Sequence, residues 1–266
     1  MIKLIASDLD GTLLLNGAQD LPEEMFDLIP RLKKAGILFA AASGRQYANM
    51  RRLFAPVVSD MAFICENGAL VVKDDKILYQ ETFDSNLMKD IIQAVNEKEG
   101  AEYSCSTKDF YYIQPKTEEY YNLLKNVVKC DCKVIKGVEE ITLPCLKMAV
   151  YEPAGVTDEC IKYWQNRFSD RCKVVTSGTV WIDFIPFQTN KAIGLRTLQD
   201  MYMKKTRVFS CVLSFLGDYS FFTAPRFLEI VSEKTIIGKI YHDFSMISKR
   251  EKWIYFADNA MIIQLQ

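Results

Sequence analysis

A length of 266 residues predicts one or two domains, because a chain of this size exceeds what one small core needs. The composition, with 49% hydrophobic and 25% charged residues, is typical of a globular protein. A formal net charge of −1 gives no broad positive potential that would attract nucleic acid or an anionic membrane. No stretch approaches eighteen uncharged apolar residues, so the sequence does not predict a membrane-spanning helix. Because no signal-peptide pattern precedes the first strand, the sequence predicts a cytoplasmic protein.

The eight cysteines predict neither a zinc site nor a disulfide framework, since they are irregularly spaced and none forms a Cys-x-x-Cys pair. Cys130 and Cys132 could be a metal pair, but separate thiols in a reducing cytosol are the more common arrangement. The single histidine, His242, excludes chemistry that needs two imidazoles. Neither a Walker loop nor a Gly-x-Gly-x-x-Gly motif is present, so nucleotide-binding folds lack their main support.

The first fourteen residues contain the clearest chemical pattern. A short apolar run at 4–6 predicts a buried strand, and Asp8, Asp10, Gly11 and Thr12 follow it. Two carboxylates this close can share a divalent cation, one can attack phosphorus, and the other can act as acid and base. The alternative is a solvated Asp-Gly turn. The position just past a buried strand favours a site, because open α/β sheets bind ligands there.

Alternating apolar segments predict a right-handed parallel α/β unit in the next sixty or so residues. The predicted elements are a helix from 21–24 to Gly36, a strand at 37–42, a helix at 46–54, a strand at 62–65 and a hairpin pairing 69–72 with 76–79. Pro30 lies inside the first helical pattern and is expected to kink or break that helix.

The pattern of predicted elements changes between about 83 and 185, where short strands are mixed among helices. This change predicts an inserted unit. The expected helices are 87–95, 118–128 and 156–168, and the expected strands are 111–114, 146–151 and 181–185. The predicted division is therefore a first part at 1–82, an inserted domain at 83–185 and a closing part at 186–266. Aromatic residues in the insert could line a pocket, although packing is their more common role. They are Phe110, Tyr111, Tyr112, Tyr120 and Tyr121.

The run Asp8-Leu9-Asp10-Gly11-Thr12-Leu13-Leu14 resembles the first motif of the haloacid dehalogenase (HAD) superfamily, in its Cof-type sugar-phosphatase branch. The resemblance implies an α/β fold, with a HAD-like Rossmannoid core around a parallel sheet and an inserted α/β cap of type C2 that selects the substrate. It implies that Asp8 is the nucleophile and Asp10 the acid/base, with Mg²⁺ bound between them. Related phosphate-transferring ATPases usually have Thr at the second position, so Asp10 indicates a hydrolase.

Two further segments resemble the second and third motifs of the family. Ser43 follows the second predicted strand, where its hydroxyl and the Gly44 amide could bind phosphate. Lys191 follows the predicted N-cap Asn190, where it could hold phosphate and steady the charge of Asp8. Taken alone, these are an ordinary Ser-Gly turn and a surface lysine. With the first motif present, the resemblance implies that the substrate-binding residues are Leu9, Ser43, Gly44, Arg45, Asn67 and Asn190.

The fourth family motif is incomplete in this sequence. A predicted buried strand at 208–216 ends at Asp218, but Phe222 stands where a second acid is expected. Asp218 is therefore predicted to complete the metal site with Asp8 and Asp10, ahead of Asp258 and Asp243. One hypothesis is that a reading-frame change or degeneration has altered the C-terminal quarter, which would weaken metal binding.

The sequence thus predicts a magnesium-dependent phosphatase that acts on small phosphorylated metabolites, such as sugar phosphates, through an aspartyl-phosphate. Two alternatives stay open at this point. The protein could be a catalytically impaired relative that binds phosphorylated ligands, or a phosphomutase that returns the phosphate to the substrate. The predicted partner is a small molecule rather than nucleic acid or a membrane, and the sequence does not indicate an oligomeric state.

Overall fold

The computed structural model describes residues 2–15, 18–202, 209–213, 252–257 and 260–265. Within these ranges the chain forms two β-sheets with helices packed on them. The strands, numbered along the chain, are Ile2–Ser7 (β1), Leu38–Ala42 (β2), Met61–Cys65 (β3), Leu70–Lys73 (β4), Lys76–Gln80 (β5), Glu102–Ser106 (β6), Tyr111–Ile113 (β7), Cys132–Val134 (β8), Lys147–Tyr151 (β9), Lys173–Thr176 (β10), Trp181–Ile185 (β11), Phe209–Leu213 (β12), Lys252–Ala257 (β13) and Ala260–Leu265 (β14).

The helices of the described residues lie between these strands. They are Glu24–Lys34 (α1), Tyr47–Leu53 (α2), Ser85–Glu97 (α3), Glu118–Asn122 (α4), Asp158–Phe168 (α5) and Lys191–Tyr202 (α6). A π-helical turn, Leu123–Val127, continues α4, and short 3₁₀ segments occupy Ala55–Asp60, Glu66–Gly68 and Val138–Glu140. None of these helices has the length and apolarity needed to span a membrane.

The first sheet has the strand order β13-β14-β12-β1-β2-β3-β4-β5. Its central strands, from β14 to β3, are parallel, and antiparallel strands close both edges. The chain leaves β1 toward β2 on one side, whereas β12 pairs with β1 on the other side. The carboxyl end of β1 is therefore the point at which the strand order reverses, and such points form ligand crevices in open α/β sheets.

Helix α1 confirms the predicted helical spacing, since Met25, Leu28, Ile29 and Leu32 are all buried. The expectation of a break at Pro30 is wrong, because α1 is continuous from Glu24 to Lys34. A proline removes only one helical N–H, and the burial of four apolar side chains on the same helix offsets that loss.

The two-residue hairpin between β4 and β5 is confirmed. Asp74 and Asp75 adopt φ angles of 52° and 58°, the left-handed conformation that a tight hairpin turn requires. The Asp75 carboxylate also accepts a hydrogen bond from the Tyr47 hydroxyl at 2.8 Å, which links the hairpin to α2.

The second sheet has the order β10-β11-β9-β6-β7-β8 and contains the strands between Glu102 and Ile185. Strand β6 was not predicted, because three of its five residues, Glu102, Ser104 and Ser106, are polar and the segment lacks the apolar pattern of a buried strand. All five residues of β6 are nevertheless buried. Glu102 is buried because its carboxylate accepts hydrogen bonds from the amide of Lys116 and the hydroxyl of Thr117, at 2.8 and 2.6 Å.

The aromatic residues of the second sheet mostly pack, as the sequence favoured. Tyr112 and Tyr120 are buried, and Tyr120 stacks on Tyr151 with the ring centroids 5.5 Å apart. Tyr111 is the exception, since it also lines a cavity described below. The predicted domain limits at 82/83 and 185/186 stay a prediction, although every strand of the second sheet lies between them.

The turn at Gly68 packs directly against the start of α6. Gly68 has a φ of +103°, and a Cβ built on it would lie 2.1 Å from the Asn190 carbonyl oxygen. Only glycine permits both this backbone conformation and this close approach. Gly68 therefore fixes how near the amino end of α6 comes to the turn after β3.

Replacing Gly68 with alanine is expected to lower the free energy of unfolding by about 3 kcal/mol or more. The left-handed backbone costs an alanine about 1–2 kcal/mol, and the clash with the Asn190 backbone adds about as much. Urea unfolding measures this change.

Gly178→Ala is the matched control, because Gly178 has a φ of +79° and its added Cβ would meet no atom within 4 Å. Its expected loss is only the backbone term of about 1–2 kcal/mol. Equal losses in the two variants would show that the contact with Asn190 does not constrain the fold.

Candidate active site

Asp8 lies one residue past the end of β1, at the point where the strand order reverses. Its Oδ1 accepts a hydrogen bond from the Leu9 amide at 2.8 Å and pairs with the Lys191 Nζ at 3.0 Å. Burial raises the pKa of the Asp8 carboxyl above its ordinary value, and the Lys191 cation acts in the opposite direction. Lys191 thus favours the ionised form of a carboxylate that burial disfavours.

Asp10 projects from a tight turn that is anchored by buried leucines. Gly11 has a φ of 78°, and its amide donates to the Leu14 carbonyl at 2.9 Å. The side chains of Leu9 and Leu14 are buried beneath the turn, whereas the Asp10 side chain is 57% exposed. The turn therefore holds Asp10 on the open side of the loop, beside Asp8.

Arg45 holds the Asp10 carboxylate through two hydrogen bonds. Its Nη2 donates to Asp10 Oδ1 at 2.7 Å, and its Nε donates to Oδ2 at 3.1 Å. The Ser43 hydroxyl lies 3.5 Å from Asp10 Oδ2 and accepts a hydrogen bond from the Arg45 amide at 3.2 Å. Ser43 and Arg45 thus orient Asp10 from the end of β2, and we name residues 43–45 the serine loop.

Lys191 reaches Asp8 because α6 begins beside the end of β1. The Asn190 side chain caps this helix, with its Oδ1 accepting from the Ile193 amide at 2.9 Å, as predicted for an N-cap. The Lys191 side chain is 39% exposed, so its ammonium group faces both Asp8 and the space in front of it. The helix terminus adds partial positive charge at the same place.

A cavity of about 430 Å³ lies between the two sheets, with these side chains on its wall. From the first sheet and its loops it is lined by Asp8, Asp10, Ser43, Gly44, Arg45, Asn67 and Lys191. From the second sheet it is lined by Ser104, Tyr111, Lys147, Ala149, Trp181 and Asp183. A pocket with cationic and anionic groups at one end and a mixed polar and aromatic wall at the other suits a small charged molecule.

Two predicted binding residues do not line the cavity. The Leu9 side chain is fully buried, and its contribution is the amide that donates to Asp8. Asn190 acts as the cap of α6. The predicted metal ligand Asp218, with its alternatives Asp258 and Asp243, lies outside the described residues. The roles assigned to all these side chains stay predictions.

Lys147 and Asp183 were missed, although both line the cavity. Lys147 forms ion pairs with Glu66 Oε2 at 3.0 Å and with Asp183 Oδ2 at 3.3 Å. A signal was available in the sequence: each is a single charged residue in an otherwise apolar strand. A charge in such a strand is stable only when it is paired. The sequence cannot say which charges pair, because 81 positions separate Glu66 from Lys147.

The donor atoms of the site fit a hard divalent cation. Asp8 Oδ2 forms no hydrogen bond among the described residues, so one oxygen of the buried carboxylate is available. Asp10 supplies a second, exposed carboxylate. Oxygen ligands from one or two carboxylates, completed by a substrate phosphate, are typical of Mg²⁺ sites. Within the ranges that the structure covers, no group of three or more His, Cys, Asp or Glu side chains could hold a metal alone.

Comparisons with known proteins identify the family. A sequence model of the haloacid dehalogenase-like hydrolases matches residues 5–209. The 5-amino-6-(5-phospho-D-ribitylamino)uracil phosphatase YbjI of Escherichia coli (strain K12) is 26% identical over 215 residues, which cover 76% of this chain and 74% of that protein.

Solved structures share the fold. A haloacid dehalogenase-like hydrolase from Bacteroides thetaiotaomicron superposes with a TM-score of 0.69 at 18% identity, covering 80% of this chain and 82% of that one. The HAD subclass IIB sugar phosphatase BT4131 gives a TM-score of 0.64 at 16% identity, covering 79% and 80%.

The predicted α/β fold is confirmed, with the first sheet in the Rossmannoid core and the second sheet in the cap. The family match extends over well more than half of the residues. The chain therefore belongs to the haloacid dehalogenase-like hydrolase family, in its Cof-type branch.

Proposed function

We propose that this hydrolase is a phosphatase that removes phosphate from small phosphorylated metabolites, with Asp8 as the nucleophile and Mg²⁺ as the bound cation. The observation that carries the proposal is the ion pair between Asp8 and Lys191, at 3.0 Å, in the same cavity as Asp10. A cavity of about 430 Å³ suits a small metabolite. The family membership and the phosphatase name of the E. coli relative support the same reaction class.

The first step transfers the phosphoryl group to Asp8. A carboxylate oxygen of Asp8 forms a bond to phosphorus while the bond between phosphorus and the ester oxygen breaks. The leaving oxygen takes a proton from Asp10, so the product leaves as a neutral alcohol. Asp8 suits the role of nucleophile because the contacts to Oδ1 fix the orientation of its carboxylate.

The second step releases phosphate. Asp10 takes a proton from a water molecule, whose oxygen attacks phosphorus and displaces Asp8. Arg45 orients the Asp10 carboxylate for this step through the hydrogen bonds at 2.7 and 3.1 Å. Each residue returns to its starting protonation state, so the cycle consumes one water molecule for each phosphate released.

Charge on the phosphoryl oxygens is balanced by groups from three places. Lys191 supplies a cation, and the Ser43 hydroxyl with the Gly44 amide supplies hydrogen-bond donors. When bound, Mg²⁺ neutralises further negative charge on the phosphate. Asp8 and Asp10 would hold the ion, with Asp218 as the proposed third ligand.

Asp8→Asn is expected to lower the rate of p-nitrophenyl phosphate hydrolysis in the presence of MgCl₂ by about 10³-fold or more, because the amide cannot form the phosphoryl intermediate. The release of p-nitrophenol measures the rate. Asp27→Asn is the matched control, since Asp27 lies on the exposed face of α1 and its side chain is 76% exposed.

The control is expected to retain the wild-type rate. An Asp8→Asn variant as active as wild type would overturn the assignment of the nucleophile. A wild-type protein that binds phosphate without hydrolysing the ester would support the catalytically impaired alternative. Isomerisation that depends on a bisphosphate would support the phosphomutase.

Lys191→Met is expected to lower kcat for the same ester by about 10²–10³-fold, the usual cost of removing one group that stabilises developing charge. Lys33→Met removes a lysine of comparable exposure whose partner, Asp60, lies 2.8 Å away and outside the cavity. The control should keep the wild-type kcat. An equal effect of both substitutions would indicate that Lys191 acts only through stability.

Removal of divalent cations by EDTA is expected to abolish hydrolysis, and added MgCl₂ is expected to restore it, because the anionic carboxylates repel the anionic phosphate when no cation lies between them. Activity in EDTA-treated protein dialysed against metal-free buffer measures the effect. Full activity without a divalent cation would contradict the magnesium requirement while leaving the role of Asp8 open.

A further inference from the structure

Lys147 crosses from the second sheet to the serine loop of the first sheet. It is the first residue of β9, and its Nζ donates to the Gly44 carbonyl at 2.9 Å. The same ammonium group pairs with Glu66 at 3.0 Å and with Asp183 at 3.3 Å. These contacts join β9 and β11 of one sheet to two loops of the other sheet.

The cluster of Lys147, Glu66 and Asp183 is almost completely buried, at 8%, 0% and 4% exposure. Burial alone would lower the pKa of Lys147, but Asp183 and Glu66 raise it above its ordinary value, so the side chain is a cation. One N–H of the ammonium group is held by the Gly44 carbonyl, and Glu66 and Asp183 balance its charge. Lys147 therefore lines the cavity as part of a charge-balanced cluster and not as an unpaired cation.

The contacts of Lys147 fall on the segment that orients the proposed catalytic groups. Gly44 lies between Ser43 and Arg45, whose side chains both contact the Asp10 carboxylate. The Glu66 amide donates to the Arg45 carbonyl at 3.1 Å, and the Asn67 amide donates to the Ser43 carbonyl at 3.1 Å. The serine loop and the turn after β3 are thus one hydrogen-bonded unit.

Two further contacts from the second sheet reach this unit. The Ser106 hydroxyl on β6 donates to Glu66 Oε1. The Gln46 side chain, next to the serine loop, donates to the Thr107 carbonyl at 2.8 Å. Lys147 differs from both because it contacts the serine loop itself and carries the charge that balances Glu66.

We propose that Lys147 is a positioning residue that ties the second sheet to the serine loop and so holds that loop ready for the phosphoryl group. The proposal rests on the proposed function, since it concerns the phosphate-binding loop of that reaction. Because its charge is balanced within the protein and its hydrogen bond goes to the serine loop, Lys147 acts on that loop and not on the alcohol part of the substrate. Its loss therefore weakens the binding of phosphate itself and affects every phosphate ester alike.

The test compares Lys147→Met with wild type by isothermal titration with inorganic phosphate in MgCl₂, and by kcat and KM for p-nitrophenyl phosphate below the melting temperature. The expected result is a loss of phosphate affinity of about tenfold or more, and a loss of kcat/KM of about 10²-fold, as for small misplacements of catalytic groups. Lys147→Arg, which keeps the charge and the donors, is expected to recover part of the phosphate affinity.

Lys98→Met is the matched control for a purely structural effect. Lys98 pairs with the buried Glu152 at 2.6 Å and does not line the cavity. Its loss is expected to lower the melting temperature while leaving phosphate affinity at the wild-type level. Wild-type phosphate affinity in a folded Lys147→Met protein would overturn the proposal.

A second variant covers the case in which Lys147→Met does not fold. The double substitution Lys147→Met and Glu66→Gln removes one charge of each sign, so the formal charge of the cluster is unchanged. It is expected to show the same loss of phosphate affinity, and a double variant with unchanged affinity also overturns the proposal. Wild-type inactivity together with unchanged phosphate binding in Asp8→Asn would instead count against the proposed function alone.

Discussion

The ion pair between Asp8 and Lys191 joins the end of β1 to the start of α6 in the candidate active site. Asp8 follows the central strand, and its burial makes an isolated negative charge costly. A cation must therefore come to this place, and α6 brings it from a position 183 residues later in the chain. The close contact between Gly68 and the Asn190 backbone sets the approach of that helix. The strand order, the glycine turn and the cap of α6 all serve to bring these two charges together.

Charged side chains lie at the boundary between the two sheets, whereas the buried faces of the helices are apolar. Lys147, Glu66 and Asp183 are all buried at this boundary. Buried charges of this kind add little stability compared with apolar packing of the same volume, but they are strongly destabilising when one partner is lost. These charges specify the geometry of the boundary, because the hydrogen bond from Lys147 to the Gly44 carbonyl and its two ion pairs are all made only in one relative placement of the sheets.

Local patterns made much of the first sheet predictable. The spacing of Met25, Leu28, Ile29 and Leu32 predicted α1, and the Asp-Gly turn after a buried strand predicted where Asp8 and Asp10 lie. The polar strand β6 could not be predicted in this way, because the partners that allow Glu102 to be buried lie on a later segment.

The wall of the site beyond the first sheet was the hardest part to predict. Lys147 pairs with Glu66 and with Asp183 across long stretches of chain, and pairing of this kind depends on how the two sheets meet. Lone charges inside apolar strands indicate that partners exist without identifying them. The predicted third metal ligand, Asp218, lies outside the described residues, so its part in the site stays a prediction.

The position of Trp181 gives the molecule an internal optical probe. Its indole lines the cavity and packs with Tyr151 at a centroid distance of 5.0 Å. The polarity around this indole therefore changes when a ligand fills the cavity. Trp164, by contrast, is fully buried and donates to Glu152 at 2.7 Å. Fluorescence from the Trp181 indole is therefore expected to vary with occupancy of the cavity, whereas that of the buried Trp164 is not.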